Sequence, residues 1–279
     1  MDRFAVNEVT TFRWSLEQDL EEYRRADAAA IGVWRQKLSD VGDEVAVRLI
    51  RGSGLKVSSL SWAGGFTGSD GRGHAESVED AREAIHLAAV LEADCLMLHT
   101  GARGGHTHNH VRRLFRSALE KLLPAAEAAG VVLALEPMCT PCGQDFTFLA
   151  DLDEVERLLA EFGSPSLRVA LDSYHLGDCP DLLERLPKLA EKTVLVQLGD
   201  RRTPADCDHN RCALGEGLLP LAAVVQTLEA AGYRGVYELE LMGEEVETTC
   251  YRQLMSDCRA SLADWLKSGE RRPAFTSAP

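Results

Sequence analysis

Short apolar runs alternate with amphipathic stretches from one end of the chain to the other. Residues 4–8, 30–34, 56–61, 94–99, 131–136, 167–172, 193–197 and 236–240 read as strands. They are short and nearly continuous in apolar character, as strands are when helices cover one side and a closed interior the other. Ser15 opens the first helix, with Gln18 in capping-box position and Leu16, Leu20 and Tyr23 on one face. Helices follow over 42–52 and from Ser77, whose stripe is Ala81, Ile85, Ala88, Ala89 and Leu91. Others are predicted over 110–129 before Gly130, 151–162 before Gly163, 181–192, 219–231 before Gly232, and 251–267. Eight strands alternating with eight helices predict an α/β protein: a (β/α)8 TIM barrel of parallel strands with surrounding helices. Residues 1–268 form its single domain, and 269–279 read as a disordered tail. An open doubly wound sheet would carry a glycine-rich loop after its first strand. Here that strand runs into NEVTTF.

The strand ends carry the chemistry. Glu136, Asp172, Gln197 and Glu240 close four consecutive strands. A carboxylate at the end of a buried strand needs a partner, because an unpaired buried charge is costly. Four oxygen donors around one barrel mouth suit a hard divalent cation, with Mn2+ or Mg2+ ahead of Co2+ or Zn2+. Glu238 and Glu240 share strand parity. Glu240 lies nearer the mouth and is the better ligand, which leaves Glu238 to pair with a cation deeper in the barrel. His99 closes the fourth strand, and His175 follows Asp172 by three residues; both are candidates for acid–base work. Arg211 precedes Gly215-Glu-Gly217 and can clamp a substrate oxygen or anion. Asp200 orients the ligands or caps that loop. Trp14, Trp34 and Trp62 either wall the pocket or pack, and Asn7 and Trp62 are candidate substrate contacts. The loops at 64–73 and 101–109 are expected to help set specificity. His106, His108 and His110 read as a solvated loop leading to a helix cap.

Charge narrows the partners. Against 30 basic residues stand 44 acidic ones, a net charge of −14, which argues against a nucleic-acid backbone. No apolar run approaches the ~18 residues of a membrane span. The 8 cysteines come without an apolar leader segment, so the expectation is reduced thiols in a cytoplasmic protein. Cys139 and Cys142 form a lone CxxC pair and read as loop cysteines. Homo-oligomerisation stays open.

Five stretches carry a family resemblance: Leu135-Glu-Pro137, Leu171-Asp-Ser-Tyr-His175, Val196-Gln-Leu-Gly-Asp200, Arg211-Cys-Ala-Leu-Gly-Glu-Gly217 and Gly235-Val-Tyr-Glu-Leu-Glu240. In this order and spacing the chain resembles the sugar phosphate isomerase/epimerase superfamily, the xylose-isomerase-like TIM barrels. The resemblance implies one divalent metal on Glu136, Asp172, Gln197 and Glu240. It implies isomerisation or epimerisation of a small keto-sugar or keto-polyol through an enediolate. Gln197 stands where the family usually has histidine, which favours a harder ion and moves the chain toward inosose-type or dehydroshikimate-type dehydratases. The endonuclease IV type of nuclease also belongs to this superfamily, but Arg211 stands where it has a ligand histidine. A barrel that only binds a ligand is the non-enzymatic alternative, and metal content separates it from the enzymes.

Overall fold

The computed structural model describes residues 3–138, 142–206 and 209–270. Its strands are β1 (Phe4–Asn7), β2 (Ala30–Trp34), β3 (Lys56–Gly64), β4 (Leu96–His99), β5 (Leu133–Leu135), β6 (Leu167–Asp172), β7 (Thr193–Leu198) and β8 (Tyr237–Leu239). They pair in parallel, in chain order, and β8 closes onto β1. Around them lie α1 (Leu16–Arg25), α2 (Arg35–Val41), α3 (Asp43–Ser53), α4 (His74–Leu91), α5 (His108–Ala129) and α6 (Leu152–Phe162). They are followed by α7 (Ser173–Leu176), α8 (Leu182–Leu189), α9 (Leu221–Ala230), α10 (Glu244–Thr248) and α11 (Tyr251–Glu270).

Local chemistry sets the helix ends. Ser15 caps α1 by accepting from the Gln18 N–H at 3.3 Å, and Asp151 caps α6 through the Glu154 N–H at 2.8 Å. Four differences from the sequence pattern have physical causes. Helix α4 starts before Ser77, because the Gly73 N–H donates to the Glu76 carboxylate at 2.6 Å while the Ser77 hydroxyl donates to Gly65 O. Helix α2 follows β2 without a turn residue to announce it, and Gly42, at φ +83°, separates it from α3. The predicted helix over 181–192 ends as a 3-10 turn, Ala190–Lys192. The short helices α7 and α10 have too few residues to show a periodicity.

Strand parity divides the apolar residues into two cores. Leu96, Leu98, Leu133, Leu135, Val169, Leu171, Val196, Leu198, Tyr237 and Leu239 face outward into the layer beneath the helices. Inside the barrel lies a smaller cluster of Cys95, Met97, Ala134, Ala170 and Leu195. The same parity turns Glu136, Asp172, Gln197, Glu238 and Glu240 inward. No helix among the described residues is long and apolar enough to cross a membrane. Cys139 of the CxxC pair and residues 271–279 of the expected tail lie outside the described residues, and α11 continues past 267 to Glu270.

Candidate active site

The polar interior is built in two levels. At the lower level Glu238 is fully buried. It accepts from Asn7 Nδ2 at 2.7 Å, Ser58 Oγ at 2.5 Å, Ser59 Oγ at 3.0 Å and Gln197 Nε2 at 3.2 Å. Burial pushes its pKa up, and these donors oppose the shift. The cation expected beside Glu238 is replaced by neutral donors, because β1, β3 and β7 each point a small polar side chain at it. The fit requires Gly32: a Cβ there would stand 2.6 Å from Glu238 Oε2. Asn7 lines the cavity, but its polar atoms are engaged within the protein, Nδ2 on Glu238 and Oδ1 with the Val9 N–H at 3.1 Å. Asn7 thus touches both Glu238 and the cavity, where the sequence pattern places it as a substrate contact.

The upper level forms the mouth. The register pairs Asp172 with Gln197 and Gln197 with Glu238, and Glu240 follows β8 directly. Gln197 Nε2 donates to the Glu240 carboxylate. Asp172 accepts from the Tyr174 N–H on Oδ1. Its Oδ2 lies 2.8 Å from Arg211 Nη2, an ion pair without hydrogen-bond geometry. Arg211 Nη2 is also 3.6 Å from Glu240 Oε1, and Nη1 donates to Glu240 O at 3.0 Å. The guanidinium lies over the Tyr174 ring, 4.4 Å from its centre. Arg211 is fully buried; burial works against its charge, and Asp172 and Glu240 outweigh it. Across the mouth, His99 Nε2 is 3.1 Å from Glu136 Oε2. His175 Nε2 lies 3.9 Å from Glu136 Oε1 and 3.8 Å from Asp172 Oδ2.

Burial raises the Glu136 pKa to about 8, with Asp172 adding to the rise. Burial likewise raises Glu240, with Arg211 pulling against it. It lowers His99 and His175 to about 3, so both imidazoles are neutral near pH 7. Ligand atoms of Glu136, Asp172 and His175 lie within 4.8 Å of one another. Buried Asp172 Oδ2 and Gln197 Oε1 accept no hydrogen bond. Glu136, Asp172 and Glu240 when ionised, set against Arg211, leave two negative charges. A divalent cation fits that donor set in both charge and oxygen character. The geometric cluster includes His175, which the sequence pattern assigned to acid–base work.

Trp62 stacks on His99, with ring centres 4.9 Å apart, and Phe146 meets both edge-on. Trp34 lines the cavity, whereas Trp14 packs on Tyr251. Asp200 caps the loop after β7, accepting from the N–H groups of Arg201, Gly215, Gly217 and Leu219. Thr107 caps α5, and the rings of His106 and His110 lie 4.9 Å apart at the exposed start of that helix, outside the cavity lining. Neither 64–73 nor 101–109 lines the cavity. The walls come from segments after β1, β5, β7 and β8, including Phe12, Phe146, His209, Met242, Glu244 and Glu247. Sequence reading missed these six residues, which sit in loops or in α10, where no periodicity reports direction. Their one available signal was position beyond a strand's C-terminal end.

A closed parallel barrel with acids, an amide and histidines at its C-terminal mouth defines an enzyme-like (β/α)8 architecture. The chain belongs to the xylose isomerase-like TIM barrel family, whose model matches residues 20–268. It is 31% identical over 154 residues to a putative hydroxypyruvate isomerase of Streptomyces coelicolor, covering 52% of this chain and 53% of that one. It is 30% identical over 118 residues to a 3-dehydroshikimate dehydratase of Pseudomonas putida, covering 39% of this chain and 18% of that one. The matched stretches thus span about half or less of either relative's length. A crystal structure of a Sinorhizobium meliloti protein superposes with a TM-score of 0.87 at 27% identity, covering 94% of this chain and 98% of that chain.

Proposed function

We propose that the protein is a divalent-metal-dependent isomerase or epimerase of a small keto-sugar or keto-polyol, working by proton transfer at the carbon alpha to the carbonyl. The observation that carries this reading is the pair of inward carboxylates, Glu136 beside two neutral histidines and Glu240 beside buried Arg211. Similarity to a putative hydroxypyruvate isomerase supports it. Glu136, Asp172, Gln197 and Glu240 would hold the ion, with His175 near enough to join them. The oxygen-rich set favours Mn2+ or Mg2+ over Zn2+. When bound, such an ion supplies a Lewis acid that polarises the carbonyl.

The protein's own groups do the rest. One glutamate takes the alpha proton, and the same or the opposite one returns it. Arg211 and His175 bind the substrate oxygens that gain charge as the enediolate forms. His99 holds Glu136 in place. Trp62 and Phe146 keep water from that side.

The test is turnover of keto-sugars and keto-polyols in heavy water by metal-loaded enzyme. Deuterium should appear at an alpha carbon in a product of unchanged formula. Cleavage of abasic DNA with no alpha-proton chemistry on any keto-polyol would overturn the reading. Dehydration is the second reading, favoured by Gln197 and by the similarity to a 3-dehydroshikimate dehydratase. It shares the proton abstraction but expels a beta hydroxyl group, which leaves as water with the proton the glutamate took, relayed by His175 or His99, and yields an absorbing enone.

A further inference from the structure

The proton-transfer reading leaves open which carbonyl compound enters, and a specificity drawn from the cavity rests on that same reading. The cavity above the polar floor measures about 560 Å³. Cavities of ~300–1,000 Å³ hold drug-sized ligands, and a single sugar ring falls well below that size. Much of the wall is apolar: Val9 and Phe12 after β1, Met138 and Phe146 after β5, Met242 after β8. Phe12 is 42% exposed. A large exposed ring bordering a cavity is a contact surface in a way that a scattered one is not.

The charge of the lining is one-sided. Exposed Glu244 and Glu247 on α10 face the cavity, and among the described residues no lysine does. The one arginine lining it, Arg211, is fully buried, with its charge set against Asp172 and Glu240. Arg202, on the loop after β7, is taken up by Glu216 and Glu245. A carboxylate or phosphate remote from the reacting carbons would therefore meet acids without a compensating cation, and like-charge juxtaposition is costly.

The geometry points to an uncharged keto-sugar or keto-polyol joined to an apolar, ring-sized group as the substrate. The keto ring lies on the polar floor. The apolar group rests against Phe12, Phe146 and Met242. Glu244 and Glu247 accept hydrogen bonds from ring hydroxyls and turn away anionic analogues of the same reactive unit.

Four probes test this on the metal-loaded protein: a keto-pyranose with its ketone off the anomeric carbon, its phenyl glycoside, its phosphate ester, and its carboxymethyl glycoside. Titration calorimetry reads binding, and alpha-deuterium incorporation reads turnover. The phenyl glycoside should bind about tenfold or more tightly than the free sugar, and both anions about tenfold or more weakly than it. Phe12→Ala should narrow the preference for the phenyl compound. Glu244→Lys combined with Glu247→Lys should strengthen binding of the phosphate ester. Equal or tighter binding of either anion, no gain from the phenyl group, or no binding by any probe overturns the proposal. If the phenyl glycoside binds preferentially but no probe gains deuterium, the proton-transfer reading fails and the specificity stands. If deuterium enters an anionic probe preferentially, the specificity fails and the proton-transfer reading stands.

Discussion

At the level of single residues, the proposed reaction gives Glu136 both metal and proton, while His175 can be tested for its part in the chemistry apart from metal binding. Glu136→Gln and Asp172→Asn should each abolish metal stoichiometry and turnover while the helical circular-dichroism signal stays intact. His175→Gln should lower kcat by roughly 100- to 10,000-fold with metal content retained. Loss of metal in proportion to rate would make His175 a ligand. A second buried group titrates away from the mouth. Burial, with Asp19 adding to the rise, lifts the Glu8 pKa to about 8, and burial lifts Asp19 to about 6 against the pull of Lys37. Both values lie above the ordinary range, so the folded state binds more protons than the unfolded one. The stability these groups contribute is complete below pH 3.8 and is lost as pH rises through about 6 for Asp19 and about 8 for Glu8. The slope reaches about 1.4 kcal/mol per pH unit for each proton held. Thermal melts of Glu8→Gln should match wild type at acid pH and exceed it increasingly as pH rises. A pH-independent difference would refute the assignment.

Among the elements, strands were legible and loops were not, and the reason is directional. Parity in 167–172 and 193–197 fixes which side chains point inward, so Asp172 and Gln197 could be placed from their neighbours alone. Arg211 reaches Asp172 from a loop 39 residues away, and no local pattern encodes that approach. Glu244 and Glu247 belong to a five-residue helix, α10, too short for a stripe. The loop after β7 owes its shape to Asp200. Asp200→Ala would leave four backbone donors without their acceptor, at a cost of about 1–3 kcal/mol for each donor that stays dry. The expected result is a lower Tm and, through Arg211, a raised KM. In β2, Gly32→Ala should destabilise by about 1–3 kcal/mol as the new methyl meets the Glu238 carboxyl. Unchanged melts would show that β2 can move aside.

For the molecule as a whole, metal and fold are linked. An ion that binds only the folded barrel should stabilise it by about 2.7 kcal/mol at a free concentration near 100 times Kd. Chelation should therefore lower Tm and reloading restore it, and a Tm indifferent to both would separate site from fold.

Glu238 gives that wholeness a cause within the chain's order of synthesis. Its acceptors come from β8, the last strand made, and its donors from Asn7 in β1, Ser58 and Ser59 in β3 and Gln197 in β7. A chain that stops short of β8 lacks the carboxyl that these four side-chain donors share in the closed barrel. An early half-barrel lacks that partner at its centre, as it lacks partners along its open edges. Ring closure brings one carboxyl to donors from three other strands at once.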